Sequence, residues 1–137
     1  MITLTSNETD ERGDVQRVLV ADDDRDTAQT LGILLRSEGY IVYVAKNGTE
    51  ALRYADAYRP DVALLDLHMP ERSGFDVASE LQRRYGSNCP VLIALTGHLD
   101  MKTREVAEIS GFHHFVAKPY DSKALLQLIG SLKRIAY

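Results

Sequence analysis

The sequence predicts an α/β domain: a parallel sheet with helices on both faces. Two observations carry that expectation. Short runs rich in Val, Ile and Leu recur five times along the chain, and continuous apolar runs of this length read as strands buried on both sides. Between them the apolar residues change to helical spacing and the joints are short, the pattern of repeated βα units.

Strand candidates lie near residues 17–21, 40–45, 61–66, 90–95 and 112–117. After the first, Asp24 or Asp26 can cap a helix with the stripe Ala28, Leu31, Leu34 and Leu35, and Gly39 can end it in the left-handed conformation. Asn47 can cap the second helix, whose apolar face is Ala51, Leu52, Ala55 and Tyr58. Ser73 with Asp76 three residues later forms a variant capping box for the third, which would bury Val77, Ala78, Leu81 and Tyr85. The fourth, near 100–109, offers only Val106, Ala107 and Ile109 as a stripe. Asp121 caps the fifth, which shows Ala124, Leu125, Leu128, Ile129 and Leu132.

Composition narrows the class further. A chain of 137 residues with 45% hydrophobic and 26% charged residues is the size and make-up of one soluble domain. The sequence stops just after the fifth helix, so a single domain is expected. No apolar run approaches the roughly 20 residues of a membrane span, and residues 1–14 lack the pattern of a secretory signal. Cys89 is the single cysteine, which excludes an internal disulfide and fits a reducing, cytoplasmic location. Glu8, Asp10, Glu11 and Asp14, against Arg12, carry most of the net charge of −4. Residues 1–14 therefore read as a disordered acidic tail and residues 15–137 as a nearly neutral domain, with no nucleic-acid footprint.

Four of the apolar runs halt at polar residues. Val18–Ala21 stops at Asp22-Asp23, Val62–Leu65 at Asp66, Val91–Leu95 at Thr96, and Phe112–Ala117 at Lys118-Pro119. In an open α/β sheet the carboxyl ends of the strands share one rim, where ligands bind. Asp22, Asp23, Asp66, Thr96 and Lys118 would thus meet. Carboxylates and a carbonyl suit Mg²⁺, while a hydroxyl and an ammonium suit an anionic phosphoryl group. Two carboxylates about 4 Å apart repel by roughly 4 kcal/mol at an effective dielectric of about 20, so three of them with one lysine call for a cation.

These residues resemble those of the two-component response regulator receiver domain, from about Gln16 to Lys133. The resemblance implies a flavodoxin-like (βα)5 doubly wound sheet in the order 2-1-3-4-5. Asp66, in Leu65-Asp66-Leu67-His68-Met69-Pro70, is then the phospho-acceptor. Asp22, Asp23, Asp66 and the backbone carbonyl of His68 hold Mg²⁺. Thr96 is the switch hydroxyl, Lys118 the phosphate-contacting lysine and Phe115 the switch aromatic, and the Lys118-Pro119 bond is cis. The partners implied are a histidine kinase or histidine phosphotransfer protein as donor and an unknown downstream protein, with no direct nucleic acid and no membrane. The Asp66 carboxylate takes the phosphoryl group, and a two-state change follows in the face of the fourth helix, fifth strand and fifth helix. Slow hydrolysis resets it, so the chain is a phosphoacceptor and not a conventional enzyme.

Other readings are weaker. Asp22, Asp24 and Asp26 alternate like the start of an EF-hand loop, but Thr27 and Ile33 stand where that loop needs Gly and Glu. The second aspartate of haloacid-dehalogenase phosphatases and the Gly-rich nucleotide motifs are absent. His113 and His114 are adjacent on a strand and should face opposite sides, as structural or solvent-facing groups. His68 and His98 each follow a pocket residue by two positions and are candidate modulators of dephosphorylation, active near the usual imidazole pKa of about 6.5. Phe115 lacks the hydroxyl of the commoner tyrosine. A phosphorylation-independent, receiver-like interaction module is the alternative function, and a small metal-dependent phosphatase a third. A stand-alone regulator and a receiver excised from a hybrid kinase both fit.

Overall fold

The computed structural model describes residues 13–97 and 100–133. Five strands, β1 (Arg17–Ala21), β2 (Ile41–Ala45), β3 (Val62–Asp66), β4 (Val91–Thr96) and β5 (His114–Ala117), form one sheet in the order β2-β1-β3-β4-β5. All four pairings are parallel. The helices are α1 (Arg25–Ser37), α2 (Gly48–Tyr58), α3 (Gly74–Tyr85), α4 (Met101–Ser110) and α5 (Ser122–Ser131), with a 3-10 turn at Gly86–Asn88.

The caps explain where the helices start. Asp24 accepts from the Thr27 N–H at 3.3 Å, Asn47 from Glu50 at 2.8 Å, Ser73 from Asp76 at 3.2 Å and Asp100 from Thr103 at 2.7 Å. Asp121 accepts from Lys123 and Ala124. Each occupies donors that the first helical turn leaves without partners. Gly39, just beyond α1, has φ +95°, as a residue ending that helix in the left-handed region should.

Two cores flank the sheet. Val18, Val20, Leu64 and Ile93 pack beneath α1 and α5, while Leu19, Ala63, Leu65, Leu92 and Ala94 pack beneath α2, α3 and α4. Strand alternation divides the residues between them. β3 is buried along its whole length, as the middle strand of a covered sheet must be.

Three expectations need correction. In α2, Tyr58 of the expected apolar face is 43% exposed, with its ring stacked on Tyr43. In α4 only Ala107 is buried, whereas Val106 is 42% and Ile109 87% exposed. That helix lies over a sheet edge formed by the four-residue β5 and has little to bury against. In α5, Ala124 also faces solvent, and Leu125 and Ile129 make the buried stripe. At the opposite sheet edge, Ile41 donates to Gln16 on the β1 side, so the peptide groups of Val42 point outward. Arg36 of α1 donates to the outward Val42 carbonyl at 2.9 Å. Asp14 and Lys133 form an antiparallel bridge and an ion pair of 2.9 Å at the far end from the strand carboxyl termini.

Candidate phosphoacceptor site

The carboxyl ends of β1 and β3 lie side by side, with Ala21 in register with Leu65. Asp22 and Asp23 follow the first strand and Asp66 ends the second. Carboxylate oxygens of all three lie within 4.8 Å of one another. Asp22 and Asp66 are buried, at 1% and 7% exposure, and Asp23 is exposed. Lys118, just past β5, reaches in from across the sheet. Its Nζ lies 2.8 Å from Asp22 Oδ2 and 3.3 Å from Asp66 Oδ2. A sequence span of nearly a hundred residues closes into one cluster because parallel strands bring their ends to one rim.

The backbone holds these groups still. The Asp24 N–H donates to Asp22 Oδ1 at 2.9 Å and the His68 N–H to Asp66 Oδ1 at 3.2 Å. The Lys118 N–H donates to the Thr96 carbonyl at 2.7 Å, and the Lys118-Pro119 bond is cis, as expected. Thr96 is wholly buried at the end of β4. Ala94 shares its face of the strand and is in register with Phe115, so Thr96 and Phe115 face the same helical layer. Phe115 itself is half-buried, with the Arg104 guanidinium carbon 4.9 Å from its ring centroid.

Burial is the main force on the Asp66 carboxyl and pushes its pKa up to about 6. The His68 N–H and the Lys118 charge pull it down, while the Asp22 charge pushes it up. Burial works against the Lys118 ammonium, yet the hydrogen bond to Asp22 and the charge of Asp66 hold its pKa above the usual lysine value. One ammonium faces three carboxylates. The donor set is all hard oxygen and under-neutralised, and it fits a small divalent cation.

Of the residues singled out from sequence, Asp22, Asp23, Asp66 and Lys118 come together, and Thr96 ends the adjoining strand. The His68 peptide borders the site, and its imidazole stands edge-on to Phe75 at 6.2 Å. His98 lies outside the described residues, as do residues 1–12 of the expected tail. His113 is structural: its Nδ1 accepts from the Leu92 N–H at 2.9 Å. Cys89 is buried, which pushes its thiol up to about 11 and keeps it inert.

Two supporting residues have no signature in the sequence. Buried Asp61 accepts from the Gln16 and Arg17 N–H groups, both at 2.9 Å, and so fixes the start of β1 against β3. Gly74 opens α3 directly against the Asp66 peptide. A Cβ there would lie 2.4 Å from the Asp66 carbonyl oxygen and 2.9 Å from Leu67 Cα.

Residues 18–130 match the family model of the response regulator receiver domain. The chain belongs to that family. This receiver domain is 36% identical over 112 residues to an uncharacterized 14.6 kDa protein of Leptolyngbya boryana, covering 82% of this chain and 86% of that one. It is 35% identical over 118 residues to the cell cycle transcriptional regulator CtrA of Caulobacter vibrioides, covering 86% of this chain and 50% of CtrA. To the DNA-binding response regulator MtrA of Mycobacterium tuberculosis it is 39% identical, over 81% of this chain and 47% of MtrA. It thus spans about half the length of CtrA and MtrA. The chemotaxis protein CheY4 of Vibrio cholerae superposes with a TM-score of 0.79 at 26% identity, covering 84% of this chain and 96% of that one. The order 2-1-3-4-5 is the CheY-like, flavodoxin-like arrangement expected from the sequence. CtrA is thus a transcriptional regulator and MtrA a DNA-binding response regulator by name. No helix among the described residues is long and apolar enough to cross a membrane.

Proposed function

We propose that this receiver domain, in the cytoplasm, accepts a phosphoryl group on Asp66 from a phosphohistidine of a histidine kinase or histidine phosphotransfer protein. The observation that carries the reading is the Asp22-Asp23-Asp66 carboxylate cluster with Lys118 3.3 Å from Asp66. An Asp66 oxygen attacks phosphorus, the P–N bond breaks, and its electron pair leaves on the donor imidazole, which regains a proton. Asp22, Asp23, Asp66 and the His68 carbonyl are the residues that would hold Mg²⁺, which neutralises charge on the phosphoryl oxygens when bound. Lys118 pairs with one of those oxygens and the Thr96 hydroxyl with another.

Signalling follows from the same contacts. Drawing Thr96 toward the phosphoryl group opens space in the layer it shares with Phe115, and the ring enters it. The face formed by α4, β5 and α5 changes with the ring and meets a downstream protein. Water later cleaves the acyl phosphate, with the His68 and His98 side chains as modulators of that rate. A phosphorylation-independent interaction module would have no use for a buried, mutually repelling carboxylate pair.

The test is incubation with acetyl phosphate, or with beryllofluoride, in the presence of Mg²⁺. The parent should show a phosphoryl mass shift and saturable beryllofluoride binding, both lost in Asp66→Asn. A parent that reacts with neither would overturn the reading.

A further inference from the structure

We propose that Arg104 is a positioning residue for the switch: its guanidinium holds the Phe115 ring in its resting place and thereby sets how readily the domain responds. The proposal rests on the reading of Phe115 as the relay.

The guanidinium carbon lies 4.9 Å from the ring centroid, inside the roughly 6 Å over which a cation is drawn to an aromatic face. Phe115 packs on the core beneath α2, α3 and α4, yet remains half-buried, so one side of the ring is open to α4. That helix is thinly seated. Ala107 is its single buried side chain, and Met101 and Ile109 point outward. The Arg104 contact is one that joins α4 to β5. A phenylalanine also has no hydroxyl through which to be tethered, which leaves its ring face as the handle. Glu108 Oε1 forms an ion pair with Arg104 Nε at 3.6 Å, but both side chains are more than half exposed. Such a pair is weak and does not compete strongly for the guanidinium.

The contact belongs to one state of the switch. For the ring to move in behind Thr96 it must leave the guanidinium. Arg104 then stabilises the resting state and opposes the switched one. By linkage, weakening the contact raises the switched population and the affinity for a phosphoryl analogue by the same factor, provided the switched state is the minor one. For a cation–π contact at an exposed site that factor is about two- to fivefold.

The test uses the full chain labelled with para-fluorophenylalanine, the Phe115 resonance being assigned through Phe115→Leu. Arg104→Met keeps the unbranched stem and removes the charge, and Arg104→Lys keeps the charge on a narrower head. Fluorine relaxation dispersion without ligand should show the minor ring state rising about two- to fivefold in Arg104→Met, with Arg104→Lys between it and the parent. Beryllofluoride with Mg²⁺ should bind Arg104→Met tighter by the same factor. A minor population in Arg104→Met that matches or falls below the parent's overturns the proposal, as does weaker beryllofluoride binding. If the parent binds no beryllofluoride the phosphoacceptor reading fails, while the ligand-free populations still decide the role of Arg104.

Discussion

Replacing Asp66 with Asn should make the metal-free protein more stable, even though it removes the proposed phospho-acceptor. Folding lifts the Asp66 carboxyl from its ordinary 3.8 to about 6, with burial as the leading cause. Between those values the folded state binds a proton that the unfolded chain releases, so stability falls as pH rises through that window and stays low above it. At 1.36 kcal/mol per tenfold change, the cost of holding the ionised form is at most about 3 kcal/mol. The site opens to solvent at its rim, and screening there reduces the realised cost to about 1–2 kcal/mol. Asn is neutral and nearly isosteric: its oxygen can still accept from the His68 N–H, its NH2 takes the place of the oxygen that faced Lys118, and Lys118 keeps its 2.8 Å contact with Asp22. The melting temperature of Asp66→Asn in EDTA at pH 7.5 should exceed the parent's by roughly 3–10 °C. Below pH 5 the parent takes up the proton and the difference should shrink. Comparing the two proteins at each pH cancels the opposite drift of His113, whose pKa burial lowers. Millimolar Mg²⁺ should raise the parent's melting temperature and close the gap from the other side. Equal melting temperatures in EDTA at pH 7.5 would refute the claim that the fold holds the ionised Asp66 carboxylate at a cost.

Other expectations follow from the supporting residues. Asp61→Ala leaves two N–H groups at the start of β1 without their acceptor and should cost about 2–4 kcal/mol by urea denaturation, most of it recovered in Asp61→Asn. Gly74→Ala drives a methyl group into the Asp66 peptide and should cost about 1–3 kcal/mol. It should also weaken Mg²⁺ binding, measured by calorimetry, because the His68 carbonyl moves with that peptide. The double variant His68→Ala, His98→Ala should change the rate of dephosphorylation at pH 7.5. An unchanged rate would remove both histidines from the hydrolytic step.

The strands and the site were readable in the sequence for one reason. A strand covered on both faces must be continuously apolar, so the point where Val62–Leu65 gives way to Asp66 marks both its end and the rim where the candidate site gathers. The caps at Asn47, Ser73 and Asp121 were readable because they act within four residues. α4 was misread because periodicity locates an apolar stripe without saying whether there is anything to cover it, and a four-residue β5 leaves Val106 and Ile109 outside. Asp61, Gly74 and Arg104 carried no local signal. Their partners (the β1 amides, the Asp66 peptide and the Phe115 ring) are distant or defined only by packing.

The Arg36 contact on β2 bears on how many copies of this protein can share a small volume. An outer strand offers hydrogen-bonding groups that a second chain could match, which is how sheets extend from molecule to molecule into aggregates. With the Val42 carbonyl already engaged at 2.9 Å and a charged guanidinium standing over that edge, an approaching strand meets an occupied acceptor and a desolvation cost. Arg36→Ala would leave the chemistry at Asp66 untouched and expose the molecule to a crowding hazard that the parent is built to avoid.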